Sequence, residues 1–246
     1  MEQISCQVLV VGAGPGGYVA AIRAAQLGLD TIIVEGDRAG GTCLIRGCIP
    51  SKAIIHAAEK FESLKEHQSG HMGLKVDGDV SIDMPALVDW KDKIVDKLNK
   101  GVEALLKANG ARLVSGWATF LDGKTCNVTD SDGNKIAHIT TENVILATGS
   151  KPIELPFMPY DEENIISSTG ALDLEELPEK IAVIGGGYIG LELGCALRKL
   201  GVEITVIEGL DTVVSIFDAE IRRPLERWLK KNKVKVHTNC LAPGAE

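Results

Sequence analysis

The chain of 246 residues has no excess of positive charge: 26 Lys and Arg stand against 34 Asp and Glu, a net charge of −8. That balance argues against nucleic acid or an anionic membrane as its main partner. A basic stretch does occur at Arg222, Arg223, Arg227, Lys230, Lys231, Lys233 and Lys235, and it fits the solvated face of a helix and of the strand after it. Apolar runs long enough to span a bilayer are also missing. The N-terminus enters an apolar strand within a few residues, which leaves no room for a signal peptide, so the expected location is the cytoplasm. Six cysteines in a chain of this length do not make a secreted disulfide framework, and in a reducing compartment a close cysteine pair points to catalysis. No second pair has metal-ligand spacing. Cys6, Cys126, Cys195 and Cys240 lie singly on different elements, which disfavours zinc, and no metal is expected.

An internal repeat organises what is present. Val8-Leu9-Val10-Val11-Gly12-Ala13-Gly14-Pro15-Gly16-Gly17 returns as Ile181-Ala182-Val183-Ile184-Gly185-Gly186-Gly187-Tyr188-Ile189-Gly190, and Gly12 to Gly185 is an offset of 173. The same offset carries Leu27-Gly28 onto Leu200-Gly201 and Glu35 onto Glu208. Each copy reads as an apolar strand, a G-x-G-x-x-G turn, a helix, and a second strand ending on an acid. The first glycine permits the tight turn, the second lets pyrophosphate approach the backbone, and the third lets the helix pack close to the strand. Helix N-terminal amides then bind phosphates, and the terminal carboxylate can hold ribose hydroxyls. One such motif alone could be an ordinary turn. Two in register predict an α/β protein with two Rossmann-like nucleotide-binding domains.

Between the copies, Ile94, Leu98, Val102, Leu105 and Leu106 recur at helical spacing and predict an amphipathic helix over 85–109. Short strands are expected around 112–121 and 124–140, with Asp132-Gly133 as a hairpin turn, followed by an apolar strand at 144–147. Pro152, Pro156 and Pro159 mark a linker, which places the domain boundary between 1–150 and 151–246.

Cys43 and Cys48 lie seven or more residues beyond Glu35, in the run Gly40-Gly41-Thr42-Cys43-Leu44-Ile45-Arg46-Gly47-Cys48-Ile49-Pro50-Ser51-Lys52. On a regular helix residues five apart rise ~7.5 Å, beyond the ~7 Å Cα limit for a disulfide. A bridge therefore needs a local distortion, for which Gly47 and Pro50 provide a permissive backbone and a missing donor. A helix beginning near Ile49 puts Pro50 in its first turn and Cys48 at the positive end of the dipole, with Lys52 one turn on; both favour its thiolate. Spacing alone fits two buried, reduced cysteines equally well. The nucleotide motifs on either side favour electron exchange between a dithiol and a bound redox cofactor.

These motifs, together with Ala147-Thr148-Gly149 and Gly187-Tyr188-Ile189-Gly190-Leu191-Glu192, closely resemble the flavin-dependent pyridine nucleotide–disulfide oxidoreductases, and within them the branch that acts on dihydrolipoamide. The resemblance runs from the first strand to the last residue. It implies FAD held by Gly12, Gly14, Pro15, Gly16, Gly17 and Glu35, with Gly41, Thr42, Lys52, Gly116, Thr148 and Gly149 lining the cofactor. It implies NAD held by Gly185, Gly187, Tyr188, Ile189, Gly190 and Glu208. Cys48 would be the thiol beside the flavin and Cys43 the one that exchanges with dihydrolipoamide. Lys52 would lie against the flavin and pair with Glu192, whose plainer reading is an exposed helix acid. The implied partner is a lipoyl-domain protein of a 2-oxoacid dehydrogenase or glycine cleavage complex, and full-length members are homodimers. A disulfide reductase of the glutathione or mercuric type is the alternative, and a nucleotide-binding fragment without turnover is another.

NAD rather than NADP is expected from the residues themselves: Glu208 is followed by Gly209-Leu210-Asp211, and the next arginine is Arg222, so cations for a 2′-phosphate are lacking. Two departures from the family pattern stand out. Ile45 occupies a position usually held by asparagine. The chain ends at Glu246 inside the second nucleotide domain, so that domain is expected to be incomplete, and the family's interface domain and histidine–glutamate base are expected to be absent, with little turnover, weak FAD retention and a tendency to associate. His56, His67, His71, His138 and His237 read as structural or surface residues.

Overall fold

The computed structural model describes residues 1–244. The chain divides into two compact units, one of residues 1–50 and 92–151 and the other of residues 51–91 and 152–246. No helix among the described residues is long and apolar enough to cross a membrane.

The first unit is built on β1 (Glu2–Val11), α1 (Pro15–Gln26), β2 (Thr31–Glu35) and the short α2 (Gly41–Arg46). After α3 (Cys48–Gln68) and α4 (Met84–Ala108), within which the division between units falls, come β3 (Arg112–Ser115), β4 (Trp117–Phe120), β5 (Thr125–Thr129) and β6 (Lys135–Leu146). The strands form one sheet in the order β3-β2-β1-β6-β5-β4, parallel from β3 to β6 and antiparallel beyond. Both faces are buried over Val8–Val10 of β1 and Ile32–Val34 of β2, which is why these stretches read as unbroken apolar runs rather than alternating ones. Val8, Val10 and Ile33 face Ala21 and Ala24 of α1 and Val95, Val102 and Leu106 of α4. Leu9, Ile32 and Val34 face the other way, onto Cys126, Val128, Ala137 and Ile139 of the antiparallel strands. The helix expected over 85–109 is α4.

Two features of this sheet differ from the pattern in the sequence. The expected strand at 112–121 is cut by Gly116, whose φ of 153° sends β3 to one edge of the sheet and β4 to the other. A Cβ at Gly116 would meet the carbonyl oxygen of Thr129 at 2.5 Å, so no other residue fits that kink. The expected strands at 124–140 and 144–147 are not separate: β6 is continuous through the polar Thr141-Glu142-Asn143, because each residue from Ala137 to Thr141 and from Asn143 to Leu146 has a register partner on β1. Thr141 is buried there, its hydroxyl donating to the Asn143 carbonyl at 2.9 Å.

The second unit holds β7 (Lys180–Ile184), α5 (Tyr188–Lys199), β8 (Glu203–Ile207), α6 (Ala219–Lys231) and β9 (Lys235–His237), with the strands parallel in the order β7-β8-β9. Its core joins Ile204, Val206, Leu191 and Leu197 to Ile54, Ala58 and Phe61 of α3 and to Met84 and Leu87 at the start of α4. The sequence placed 51–91 with the first domain; in the structure this segment packs with the second unit, because the apolar stripe of α3 finds its partners on α5. Lys91 is fixed in the same unit, its side chain only 3% exposed, donating to the Leu172 carbonyl at 3.1 Å and paired with Asp173.

Ile204 is fully enclosed in this core, whereas Ile221 of α6 is 63% exposed. Ile204→Ala should destabilise the second unit by about 2–5 kcal/mol, through lost burial and the cavity left behind. Ile221→Ala should change it by less than about 0.5 kcal/mol. Urea titration followed by tryptophan emission, to which Trp228 beside this core contributes, measures both.

Candidate functional site

The repeat seen in the sequence is a repeat of hydrogen bonds. In the first unit the Gly12 amide donates to the Val34 carbonyl at 2.8 Å, and in the second Gly185 donates to Ile207 at 2.8 Å. One carboxylate oxygen of Glu35 accepts from the Ala13 amide at 2.6 Å and the other from Asp37 at 2.9 Å. Glu208 does the same with Gly186 at 2.6 Å and Leu210 at 2.8 Å. The chain just past each acid returns to its glycine turn, Gly40 donating to the Ala13 carbonyl at 2.7 Å and Val214 to Gly186 at 2.8 Å. Nothing in the sequence marks the bonding partners Ala13, Gly186, Gly40 and Val214, since any residue has the amide they use.

The glycines are where backbone needs the space. Gly12 and Gly185 have φ of 97° and 98°, the left-handed turn that glycine enters without strain. A Cβ on Gly17 would strike the Gly12 carbonyl oxygen, and one on Gly190 would meet Gly185 O at 2.9 Å, so the third glycine presses each helix onto its own turn. Gly14 and Gly187 cap α1 and α5 in extended conformation without any side-chain cap bond, with Pro15 and Tyr188 as the first helical residues. The first-turn amides of both helices are therefore not capped by a side chain, the arrangement that receives a phosphate. Gly16 has open space around it.

The two cradles differ at one wall. In the first unit Gly41, with φ of 61°, lies so close to Gly14 that a Cβ would collide with the Gly14 Cα. In the second the corresponding glycine, Gly187, would have nothing within 4 Å of a Cβ, while Val213 packs on the residue before it, where a Cβ on Gly186 would meet it at 2.7 Å. The first unit thus presents backbone on both sides of its cradle, and the second leaves that side open. Thr42, Thr148 and Gly149 complete the first wall: the Thr42 hydroxyl donates to the Ser150 carbonyl at 3.4 Å, and the Thr148 Cα is 3.2 Å from where a Cβ on Gly12 would stand. Gly116 donates to the Glu35 carbonyl at 2.7 Å from the far side.

Cys43 is half-buried in α2 and Cys48 is exposed as the first residue of α3. Gly47 between them breaks the helix, and a Cβ there would meet the Thr42 carbonyl at 2.7 Å and the Cys43 Cα at 3.2 Å. The break that the spacing requires is therefore present at the residue that allows it. Ile45, the departure from the family pattern, packs with Ile49 against the core beneath α2, so an apolar contact stands where a polar one is usual. In the second unit Lys52 Nζ donates to both oxygens of Glu192, at 2.9 and 2.8 Å. Both side chains are about half exposed, so this bidentate pair adds little to stability and acts mainly to fix the ammonium. Tyr188 and Ile189 open α5 with exposed side chains.

Electrostatics separates the remaining thiols. Burial pushes Cys195 up to about 11, and burial likewise raises Cys6 and Cys126 in the core of the first unit. None of the three forms a thiolate near neutral pH, and the thiolate is the reactive species.

Comparison with known proteins agrees with this geometry. The family model described as pyridine nucleotide-disulphide oxidoreductase matches residues 6–245. The dihydrolipoyl dehydrogenase of Geobacillus stearothermophilus is 48% identical over 243 residues, covering 99% of this chain and 50% of that protein. That of Pseudomonas aeruginosa is 48% identical over 239 residues, covering 96% and 51%. The crystal structure of LpdA from Mycobacterium tuberculosis matches with a TM-score of 0.88 at 25% identity, over 99% of this chain and 52% of that one. The chain spans about half the length of the curated relatives it matches.

Alkylation at pH 8, read by peptide mass, should modify exposed Cys240 while sparing Cys6, Cys126 and Cys195 until the protein is unfolded. Because its thiol is held protonated by burial, Cys195 should gain reactivity only as pH climbs toward about 11. Rapid labelling of Cys195 at pH 8 in the folded chain would contradict the burial described.

Proposed function

Since the chain belongs to the pyridine nucleotide-disulphide oxidoreductases, we propose that it supplies both nucleotide sites and the redox dithiol of a dihydrolipoyl dehydrogenase, with FAD in the first unit and NAD in the second. The observation that carries this reading is the doubled glutamate–glycine-turn arrangement with a cysteine pair beside only its first copy. The names and identity of the relatives support the choice of dihydrolipoamide as substrate.

The bound flavin would supply two-electron exchange between the dithiol and the nicotinamide. The chain's own residues do the rest. Gly12, Gly14, Gly17 and the first-turn amides of α1 receive the pyrophosphate, while Glu35, steadied by two amides, keeps lone pairs for ribose hydroxyls. In the oxidised protein Cys43 and Cys48 share a disulfide. A substrate thiolate attacks the Cys43 sulfur, forming a mixed disulfide and releasing Cys48 as thiolate. The second substrate thiol, on losing its proton, attacks the substrate sulfur of that mixed disulfide, so lipoamide leaves with its ring disulfide closed and Cys43 leaves as thiolate. Two electrons thereby pass to the cysteine pair. Lys52, anchored by Glu192, offers a fixed positive charge one helical turn from Cys48.

NAD is favoured over NADP because Glu208 has a carboxylate where a 2′-phosphate would lie, and Arg222, the next arginine, is engaged with the Phe217 carbonyl at 3.1 Å. The whole protein is proposed to work as a homodimer in the cytoplasm, taking its substrate from the lipoyl domain of a 2-oxoacid dehydrogenase or glycine cleavage complex.

Glu35→Gln should weaken FAD binding by about tenfold or more and leave NAD largely unaffected, with the reverse for Glu208→Gln. Flavin absorbance retained through gel filtration and calorimetry with NAD provide the readings. Equal effects of both substitutions on both ligands would overturn the assignment. Intact mass before and after reductant should differ by two hydrogen atoms, and Cys43→Ser should abolish the difference.

A further inference from the structure

The match between the two units extends past the glycine turns to residues that no sequence offset links. In the first unit the amide of Gly116, just after β3, bonds the backbone carbonyl of Glu35 at 2.7 Å; in the second, Cys240, just after β9, bonds that of Glu208 at 3.0 Å. The next residue in each case is large and apolar. Trp117 lies on Gly36 and Leu241 lies on Gly209, the glycines that directly follow the two acids. A Cβ on Gly36 would meet the fused-ring atoms of Trp117 at 2.5–2.9 Å, and one on Gly209 would meet a Leu241 methyl at 3.0 Å. Gly36 and Gly209 are absent from the residues with positive φ, so glycine at both places provides room for the covering side chain rather than an unusual backbone turn.

Each covering residue remains exposed, Trp117 by 62% and Leu241 by 82%. A tryptophan is among the largest apolar side chains and gains little by lying open to water. The indole rests one face on Gly36, through the atoms at its ring fusion, which leaves the opposite face open. Ribose chemistry gives that open face an occupant. With ribose hydroxyls on the glutamate and pyrophosphate at the glycine turn, the base attached to C1′ projects past the acid, to the side where the following glycine and its cover lie.

We infer that Trp117 and Leu241 are the base-facing walls of the two nucleotide sites, with Trp117 stacking on the adenine of the dinucleotide in the first unit. This rests on the proposed assignment of a flavin dinucleotide to that unit. The second unit, with leucine in the corresponding place, gives its adenine an apolar edge without a π face, so the first site holds its base more strongly. An aromatic–base stack removed by alanine is worth roughly a 5- to 150-fold loss in affinity.

The test uses the chain in four forms: unaltered, Trp117→Ala, Trp117→Phe and Glu35→Gln, each titrated with FAD and separately with ADP, which lacks the flavin and does not absorb tryptophan emission. Trp117→Ala should weaken FAD and ADP by at least fivefold, and Trp117→Phe, which keeps a flat ring, should recover most of the loss. ADP should quench tryptophan emission of the unaltered chain, and the quench should vanish in Trp117→Phe, although Trp90 and Trp228 remain. If Glu35→Gln weakens FAD but Trp117→Ala does not, the inference fails and the flavin assignment survives. If neither substitution changes FAD binding, both fail. Circular dichroism of Trp117→Ala matching that of the unaltered chain shows that a loss of affinity is not a loss of fold.

Discussion

The carboxylate of a glutamate at the end of a strand, bonded to an amide in a glycine turn, is the interaction on which each unit of this protein depends. At 2.6 Å the bonds from Ala13 to Glu35 and from Gly186 to Glu208 are short, charge-assisted contacts. Each carboxylate also holds the amide two residues beyond it, and each glutamate's carbonyl receives the chain leaving the third strand. One residue therefore ties together the exits of three parallel strands, which in an open parallel sheet is where ligands bind. Without it the glycine turn would have an unpaired amide next to a flexible backbone. With it, the turn is held in shape before any ligand arrives, so binding need not order it.

The two units then differ in what they place around a shared frame. The first has Gly40, Gly41 and a broken helix carrying two thiols; the second has Val213 and Val214 and a helix whose Glu192 anchors Lys52. Close backbone approach needs glycine on both sides, and Gly14 against Gly41 meets that requirement. The thiols are sorted by the same logic of space: three cysteines lie where burial holds them protonated, while Cys43 and Cys48 flank a glycine at the partly open end of α2.

Much of this was legible in the sequence because it is written in local pattern. The glycine turns, both acids, the amphipathic α4 and the hairpin turn at Asp132-Gly133 all depend on residues close together in the chain. What the sequence hid depends on partners far away. Polar Thr141-Glu142-Asn143 looked like a gap between strands, yet β1 pairs across it. Residues 51–91 follow the first motif directly and so seemed to belong with it, although Ile54, Ala58 and Phe61 pack with Leu191 and Leu197. Trp117 and Leu241 share no sequence offset because the segment between acid and cover is far longer in the first unit, where α3 and α4 intervene. Amide donors such as Ala13 left no trace at all, since backbone chemistry is common to every residue.

The long pairing of β1 with β6 bears on how the protein is made. β1 and β2 are complete by Glu35, but β1 lies between β2 and β6 in the sheet, and β6 ends only at Leu146. At a synthesis rate of about 5–20 residues per second, the ribosome needs roughly 5–20 s to deliver the missing strand. During that interval the nascent chain has a strand whose neighbour is not yet made, flanked by Leu9, Ile32 and Val34 with no meander to cover them. Such an edge is prone to pair with another chain. The exposure of this edge ends when β6 emerges.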